Sequence, residues 1–137
     1  EEKYRGAPDI GLHEIDVARP LEIAGERIVP VSGHHSERFE VTGYRIGRMA
    51  YLTDFKTIAD AEVGKLIGVE LLVVNALRFR PHPSHFNVGE ALALIARVAP
   101  RRALITHVSH EIGRHAATTA LLPRGVELAY DGLEIII

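Results

Sequence analysis

The chain has 137 residues, enough for one domain that buries roughly two thirds of its unfolded surface. Hydrophobic residues make up 47% and charged residues 25%, an ordinary globular balance, and the formal charge is −2 with acids and bases interspersed. No basic tract offers a nucleic-acid footprint, the lack of cysteine removes disulfides and thiolate ligands, and no apolar run approaches the ~20 residues that span a bilayer. No charged-then-apolar leader is visible, so a cytoplasmic location without a membrane partner is the expectation.

In chain order, the first third reads as β. Ile10, Leu12, Ile15 and Val17 predict a strand closed by Arg19-Pro20. Residues 21–23 and 27–31 flank Ala24-Gly25-Glu26, a hairpin whose glycine supplies a positive φ. Residues 43–46 and 48–52 predict two further strands turning at Gly47. After Asp54, the spacing of Ile58, Ala61, Val63 and Leu66 predicts a short helix stopped near Gly68. A buried strand follows at 69–75, then a loop stiffened by Pro81 and Pro83.

Residues 87–98 give the clearest helix, with Val88, Ala91, Leu92, Ile95 and Val98 on one face, Asn87 as N-cap, Glu90 three residues on and Pro100 beyond the end. A strand at 103–106, a helix around 111–122, and strands at 126–130 and 133–137 turned at Asp131-Gly132 complete the pattern. The second part is β-α-β-α-β, which implies parallel strands covered by helices, and the first part adds antiparallel strands. The expectation is a mixed sheet in an α+β fold, one domain over residues 1–137.

Three apolar runs end on polar side chains: Tyr51-Leu52-Thr53-Asp54, Leu71-Leu72-Val73-Val74-Asn75 and Ala103-Leu104-Ile105-Thr106-His107. Ligands of open α/β sheets sit at the carboxyl ends of parallel strands, so Asp and His delivered there suggest a metal-assisted site. The two oxygens of Asp54 can bridge two cations; an N-cap or turn is the plainer reading. His107 is a candidate ligand that His110 would orient from three residues away, against a structural histidine as the alternative. His82 and His85 lie in the proline-stiffened loop, where His82 suits an ordinary surface connection. His34 and His35 follow a strand, and neighbours on an extended backbone point oppositely, so at most one faces a shared site. Arg78 and Arg80 could grip a phosphate through paired hydrogen bonds, or be solvated charge. His13 and His115 are expected at the surface. No phosphate-cradling glycine motif, nucleophile elbow, His-Glu-x-x-His or EF-hand loop occurs.

The series His35, Gly43-Tyr44-Arg45-Ile46, Leu52-Thr53-Asp54, His85, Thr106-His107-Val108-Ser109-His110 and Tyr130-Asp131-Gly132-Leu133-Glu134-Ile135 resembles the carboxy-terminal half of a metallo-β-lactamase-fold hydrolase. Within that superfamily it is most similar to the PhnP-type cyclic-phosphate phosphodiesterases, over nearly all of the chain from about residue 28 onward. The resemblance implies the second half of an αββα sandwich that hydrolyses a small cyclic or sugar phosphodiester with two divalent ions, Mn²⁺ or Zn²⁺. It further implies His35 as ligand of the first metal, Asp54 as the bridge, His107 as ligand of the second and His85 as the catalytic histidine. His110, Arg78 and Arg80 would stand behind these residues or touch substrate.

The family's His-x-His-x-Asp-His loop does not occur in the sequence. That would leave two protein ligands per ion where three or more are usual, so metal binding by this chain is expected to be weak or absent. The missing amino-terminal half or another chain is therefore an implied partner. An uncovered sheet face further implies a homo-oligomer when the chain is expressed alone. Two other readings stay open: a non-catalytic, oligomerising interaction domain that keeps the fold, and an RNA-processing nuclease of the same fold, against which the lack of a basic tract weighs.

Overall fold

The computed structural model describes residues 10–136. Seven strands lie in one sheet in chain order: β1 (Leu21–Ile23), β2 (Glu26–Ser36), β3 (Phe39–Ile46), β4 (Met49–Leu52), β5 (Leu71–Asn75), β6 (Arg102–Thr106) and β7 (Val126–Leu128). The first four pair antiparallel through tight turns, and β4 to β7 pair parallel. The β1–β2 turn places Ala24 at φ 53° and Gly25 at φ 82°, the two positive angles that a two-residue hairpin requires. Parallel neighbours need crossovers, and helices supply them. They are α1 (Asp60–Gly64), α2 (Val88–Val98), and a 3₁₀ turn (His110–Ile112) followed by α3 (His115–Thr119).

Helix α2 starts where its chemistry dictates. The Asn87 side chain accepts from the Glu90 N–H at 2.9 Å, and the Glu90 carboxylate accepts from the Asn87 N–H at 2.8 Å, a reciprocal capping box. The helix ends at Ala99 in the left-handed region, before Pro100. Its buried residues pack with Val63, Leu66 and Ile112 on one face of the sheet, against Ala50, Leu52, Leu72, Val74, Ala103, Ile105 and Leu128. Alternation sends Leu71, Val73 and Leu104 to the opposite face, where Met49, Ala129, Leu133 and Ile135 cover them.

Farther along that opposite face, over the antiparallel strands, cover is incomplete. Ile15, Leu21, Ile23, Ile28, Tyr44, Ile46, Met49 and Tyr51 line an open apolar concavity of about 500 Å³. Ile23 is 54% and Tyr51 44% exposed.

Four expectations of local structure differ. Residues 10–16 form no strand, and Leu12 is 93% exposed: among the described residues the sheet ends at β1, and no strand pairs with this stretch. Residues 32–36, too polar to show apolar alternation, nonetheless pair with residues 39–42, whose Phe39-Glu40-Val41-Thr42 alternation carries the strand expected at 43–46 back to Phe39, and together they extend the β2–β3 hairpin. The helix expected around 111–122 is interrupted at Gly113, φ 95°. Leu133 and Ile135 pack on the sheet while Ile136 is fully exposed, residues 133–136 pair with no strand, and residue 137 lies outside the described residues. No helix among the described residues is long and apolar enough to cross a membrane.

Candidate metal centre

Strands β4, β5 and β6 deliver their carboxyl ends side by side, and the polar residues that close them meet there. Asp54 and His107, each two positions or fewer past its strand, adopt φ 64° and 56°. The left-handed region costs an L-residue about 1–2 kcal/mol. Asp and His enter it more readily than β-branched residues, and such outliers concentrate at functional sites.

One buried residue holds this end of the sheet together. Asn75, 0% exposed, accepts the Phe55 N–H at 2.8 Å through Oδ1 and donates from Nδ2 to the Phe55 carbonyl at 3.0 Å. The Phe86 N–H donates to the same carbonyl at 2.8 Å. Phe55 follows Asp54 and Phe86 follows His85, so a single backbone unit fixes the carboxylate and the loop imidazole relative to β5.

The tip of β2 is tied to the same segment. The His34 N–H donates to the Thr57 carbonyl at 3.0 Å, and the His34 carbonyl accepts from Lys56 at 2.7 Å and Thr57 at 3.1 Å. Gly33 makes this approach possible: a Cβ there would overlap the Phe55 ring and stand 2.8 Å from the Thr57 carbonyl oxygen. His35 then turns inward, with its Nδ1 donating to the Asp54 carbonyl at 3.0 Å, which leaves Nε2 as the ring nitrogen not engaged by that carbonyl. His34 is exposed and lines a separate concavity of about 520 Å³ with Ser36, Glu37, Lys56, Thr57 and Pro83.

Four side chains from four segments therefore converge. His85 Nε2 lies 3.2 Å and His107 Nε2 3.5 Å from Asp54 Oδ1. The His35 and His85 rings meet edge-on at 4.5 Å and 83°, and His107 stacks on His85 at 4.8 Å and 20°. The Thr53 hydroxyl donates to Asp54 Oδ2 at 3.1 Å. Behind His85, its Nδ1 contacts the Ser84 hydroxyl at 3.0 Å and His82 Nδ1 at 3.3 Å.

Burial alone would raise the Asp54 pKa. The His85 hydrogen bond, the nearby His107, the Thr53 hydroxyl and the His85 charge outweigh it and hold the carboxyl below its usual range. Burial pushes His85 down, opposed by its bond to Asp54 and reinforced by His107 and His35. A carboxyl held below its usual range beside imidazole nitrogens is the donor set of a borderline divalent cation. The donor atoms of His35, Asp54 and His85 all lie within 4.8 Å of one another, so these residues fit a metal ion.

Of the site residues expected from sequence, His35, Asp54, His85 and His107 come together. His110 is exposed and opens the 3₁₀ turn. Arg78 and Arg80 are drawn to one carboxylate: Arg78 donates to Glu111 at 2.7 Å and to the Pro81 carbonyl at 3.1 Å, and Arg80 to Glu111 at 2.6 Å. His115 is exposed and donates to the Leu128 carbonyl at 2.9 Å. Two residues carry more than the sequence assigned them. Asn75 appears there only as a strand end, and His82 as a surface loop residue, although its three-residue spacing from His85 was a signal that the two rings could meet.

The Beta-lactamase superfamily domain model matches residues 1–108. A Porphyromonas gingivalis (strain ATCC BAA-308 / W83) protein named octanoyltransferase is 36% identical over 135 residues, 98% of this chain and 27% of its own length. A diphosphatase from the PhnP family superposes with a TM-score of 0.86 at 36% identity, over 91% of this chain and 48% of its own. The metallo-beta-lactamase fold protein YhfI from Bacillus subtilis gives 0.67 at 17% identity, over 87% of this chain and 53% of its own. Human tRNase Z, short form, gives 0.63 at 17% identity, over 82% and 44%; these two share the fold. The chain spans 27% of the curated relative and 48% of the solved diphosphatase. With its mixed α+β sheet and its histidine–carboxylate cluster at the strand ends, the chain belongs to the metallo-β-lactamase-fold superfamily.

Proposed function

We propose that this chain carries one side of a divalent-metal-dependent phosphodiester hydrolase site acting on a small cyclic or sugar phosphodiester. The observation that supports this reading best is the convergence of His35, Asp54, His85 and His107 at the carboxyl end of the parallel strands, with Asp54 and His107 both in strained backbone. The likeness to a diphosphatase from the PhnP family points to phosphorus chemistry. Acyl transfer, named for a relative of which this chain matches 27%, has no support in a cluster made of metal donors.

His35, Asp54 and His107 would hold two ions, Mn²⁺ or Zn²⁺, together with ligands from outside this chain. Such ions supply Lewis acidity toward a phosphoryl oxygen and toward water. The chain's own residues do the remaining work. Asp54 stays ionised and receives the inward imidazoles. His85 stands beside it with Nε2 positioned to give a proton to the departing alkoxide, while Ser84 and His82 engage Nδ1. Lys56, held at 2.7 Å by Glu90, borders the adjoining concavity, where the alcohol portion of the substrate would lie.

The test is release of p-nitrophenol from bis-p-nitrophenyl phosphate with Mn²⁺ or Zn²⁺. The chain is assayed alone and with the amino-terminal half of a related diphosphatase in trans, against Asp54→Ala. Turnover abolished by the substitution is expected, and no turnover in either arm refutes the reading. The open apolar face favours a second reading, association with such an amino-terminal half or with another copy of the chain. Sedimentation that shows a monomer, with and without the added half, refutes it.

A further inference from the structure

We infer that, on its own, this chain holds a single divalent cation through His35, Asp54 and His85, with His107 left outside the coordination. The inference rests on the metal-site reading above and changes its ligand set: His85 becomes a ligand whenever the residues that complete a two-ion site are not supplied.

Ring geometry makes the selection. An imidazole nitrogen offers its lone pair in the plane of the ring, so two histidines share an ion only where their planes cross near it. The His35 and His85 planes meet at 83° with centroids 4.5 Å apart, and they cross within the cluster. The His85 and His107 rings are stacked, 20° from parallel at 4.8 Å, and their lone pairs run side by side without converging. Two donors about 2.1 Å from one ion stand roughly 3.0–3.4 Å apart at octahedral or tetrahedral angles. The 3.2 Å between His85 Nε2 and Asp54 Oδ1 already matches that separation.

Both imidazoles are prepared from behind. His35 Nδ1 is committed to the Asp54 carbonyl at 3.0 Å, and His85 Nδ1 to Ser84 and His82, which turns Nε2 of each ring inward. Two histidines and a carboxylate leave a coordination position free, the ligand count of an open mononuclear site and not of a closed structural one. Splitting the same groups between two ions would give each only two protein ligands.

The experiment uses Co²⁺ and Zn²⁺ as probes with the full chain, and its readouts are independent of activity. Calorimetry gives the stoichiometry, the visible d–d band of Co²⁺ reports coordination, and imidazole ¹⁵N shifts of the unaltered chain with Zn²⁺ identify the ligating nitrogens. One ion per chain is expected, with Nε2 of His35 and His85 shifted and that of His107 not. Loss of a ligand exceeds the 10–100-fold effect of losing a ligand's hydrogen-bond partner, so His85→Gln should weaken binding about 100-fold or more. His107→Ala should stay within a few-fold of the parent. Two ions per chain, ligation by His107 in place of His85, or no binding overturns the inference. Turnover by the site completed in trans is measured separately, so the hydrolase reading stands or falls on its own result.

Discussion

Replacing Asn75 by alanine isolates what organises the site. The side chain is fully buried and spans the Phe55 N–H and carbonyl at 2.8 and 3.0 Å. In Asn75→Ala the carbonyl keeps its bond from Phe86, while the Phe55 N–H is left buried without an acceptor. An orphaned buried donor costs about 1–3 kcal/mol. The vacated space, roughly 25 Å³ at about 24 cal/mol per Å³, adds about 0.6 kcal/mol. The expected loss is therefore about 2–4 kcal/mol, out of the roughly 7–20 kcal/mol that a domain of this length holds in total. Urea unfolding followed by far-UV circular dichroism should show the midpoint falling by about 1–2 M at an unchanged slope. Asn75→Leu separates the two contributions, because it fills the space without accepting the hydrogen bond; it should recover only the smaller one. A loss below about 0.5 kcal/mol in Asn75→Ala would refute the argument that this amide carries the end of the sheet.

Gly33→Ala should destabilise by about 1–3 kcal/mol, since the new Cβ collides with the Phe55 ring and the Thr57 carbonyl. Chemical-shift changes confined to the tip of β2 and to residues 54–57 check the location, and an unchanged urea midpoint would refute it. Stability should also fall on acidification below the ordinary histidine pKa. Burial, with the charges of Arg78, Lys56 and His35, lowers His82 against the opposing Glu111, and burial lowers His85. The unfolded chain then binds protons that the folded chain refuses, so unfolding free energy decreases from pH ~6.5 downward. Asp54, also lowered, holds its contribution until pH approaches the carboxylate range and loses it below. Melting temperatures at about pH 7.5 and about pH 5.5 test the sign, and His82→Gln should flatten the slope. A slope unchanged in His82→Gln, or higher stability at the lower pH, contradicts it.

How much of this was legible in the sequence depends on what each contact rests on. Helix α2 was legible because its cap and its apolar spacing are local, within four residues of each other. Strands β5 and β6 were legible because they are buried on both faces and read as uninterrupted apolar runs. Where apolar residues pack without pairing, as at Leu133 and Ile135, the same signal indicates burial and misreports a strand. Where residues pair without being apolar, as at Ser32 opposite Thr42, it indicates nothing. Asp54 and His107 could be singled out because strand ends in a parallel sheet are ligand positions. The choice of His35 over His34 needed the family resemblance, and the ties that fix it, from His34 to Thr57 and from Gly33 to Phe55, join residues more than twenty positions apart. The engagement of Arg78 and Arg80 by Glu111 spans over thirty residues and leaves no trace in either neighbourhood.

The left-handed backbone at Asp54 and His107 suggests that this end of the sheet is shaped for something other than stability, and glycine tests that reading. In ordinary extended or helical backbone, exchanging alanine for glycine destabilises by about 0.5–1 kcal/mol, because glycine loses more freedom on folding. At a position with φ near 60° the sign reverses, since only alanine has a Cβ to crowd the following carbonyl. Asp54→Gly should therefore be more stable than Asp54→Ala, and His107→Gly more stable than His107→Ala, each by about 1 kcal/mol. Comparing Gly with Ala at one site removes the lost side-chain contacts from the difference, because both variants lack them. Urea midpoints for the four variants decide it. Alanine equal to or better than glycine at both positions would mean that the strain is absent, and with it the argument that two residues hold a costly conformation so that their side chains can meet at one carboxylate oxygen.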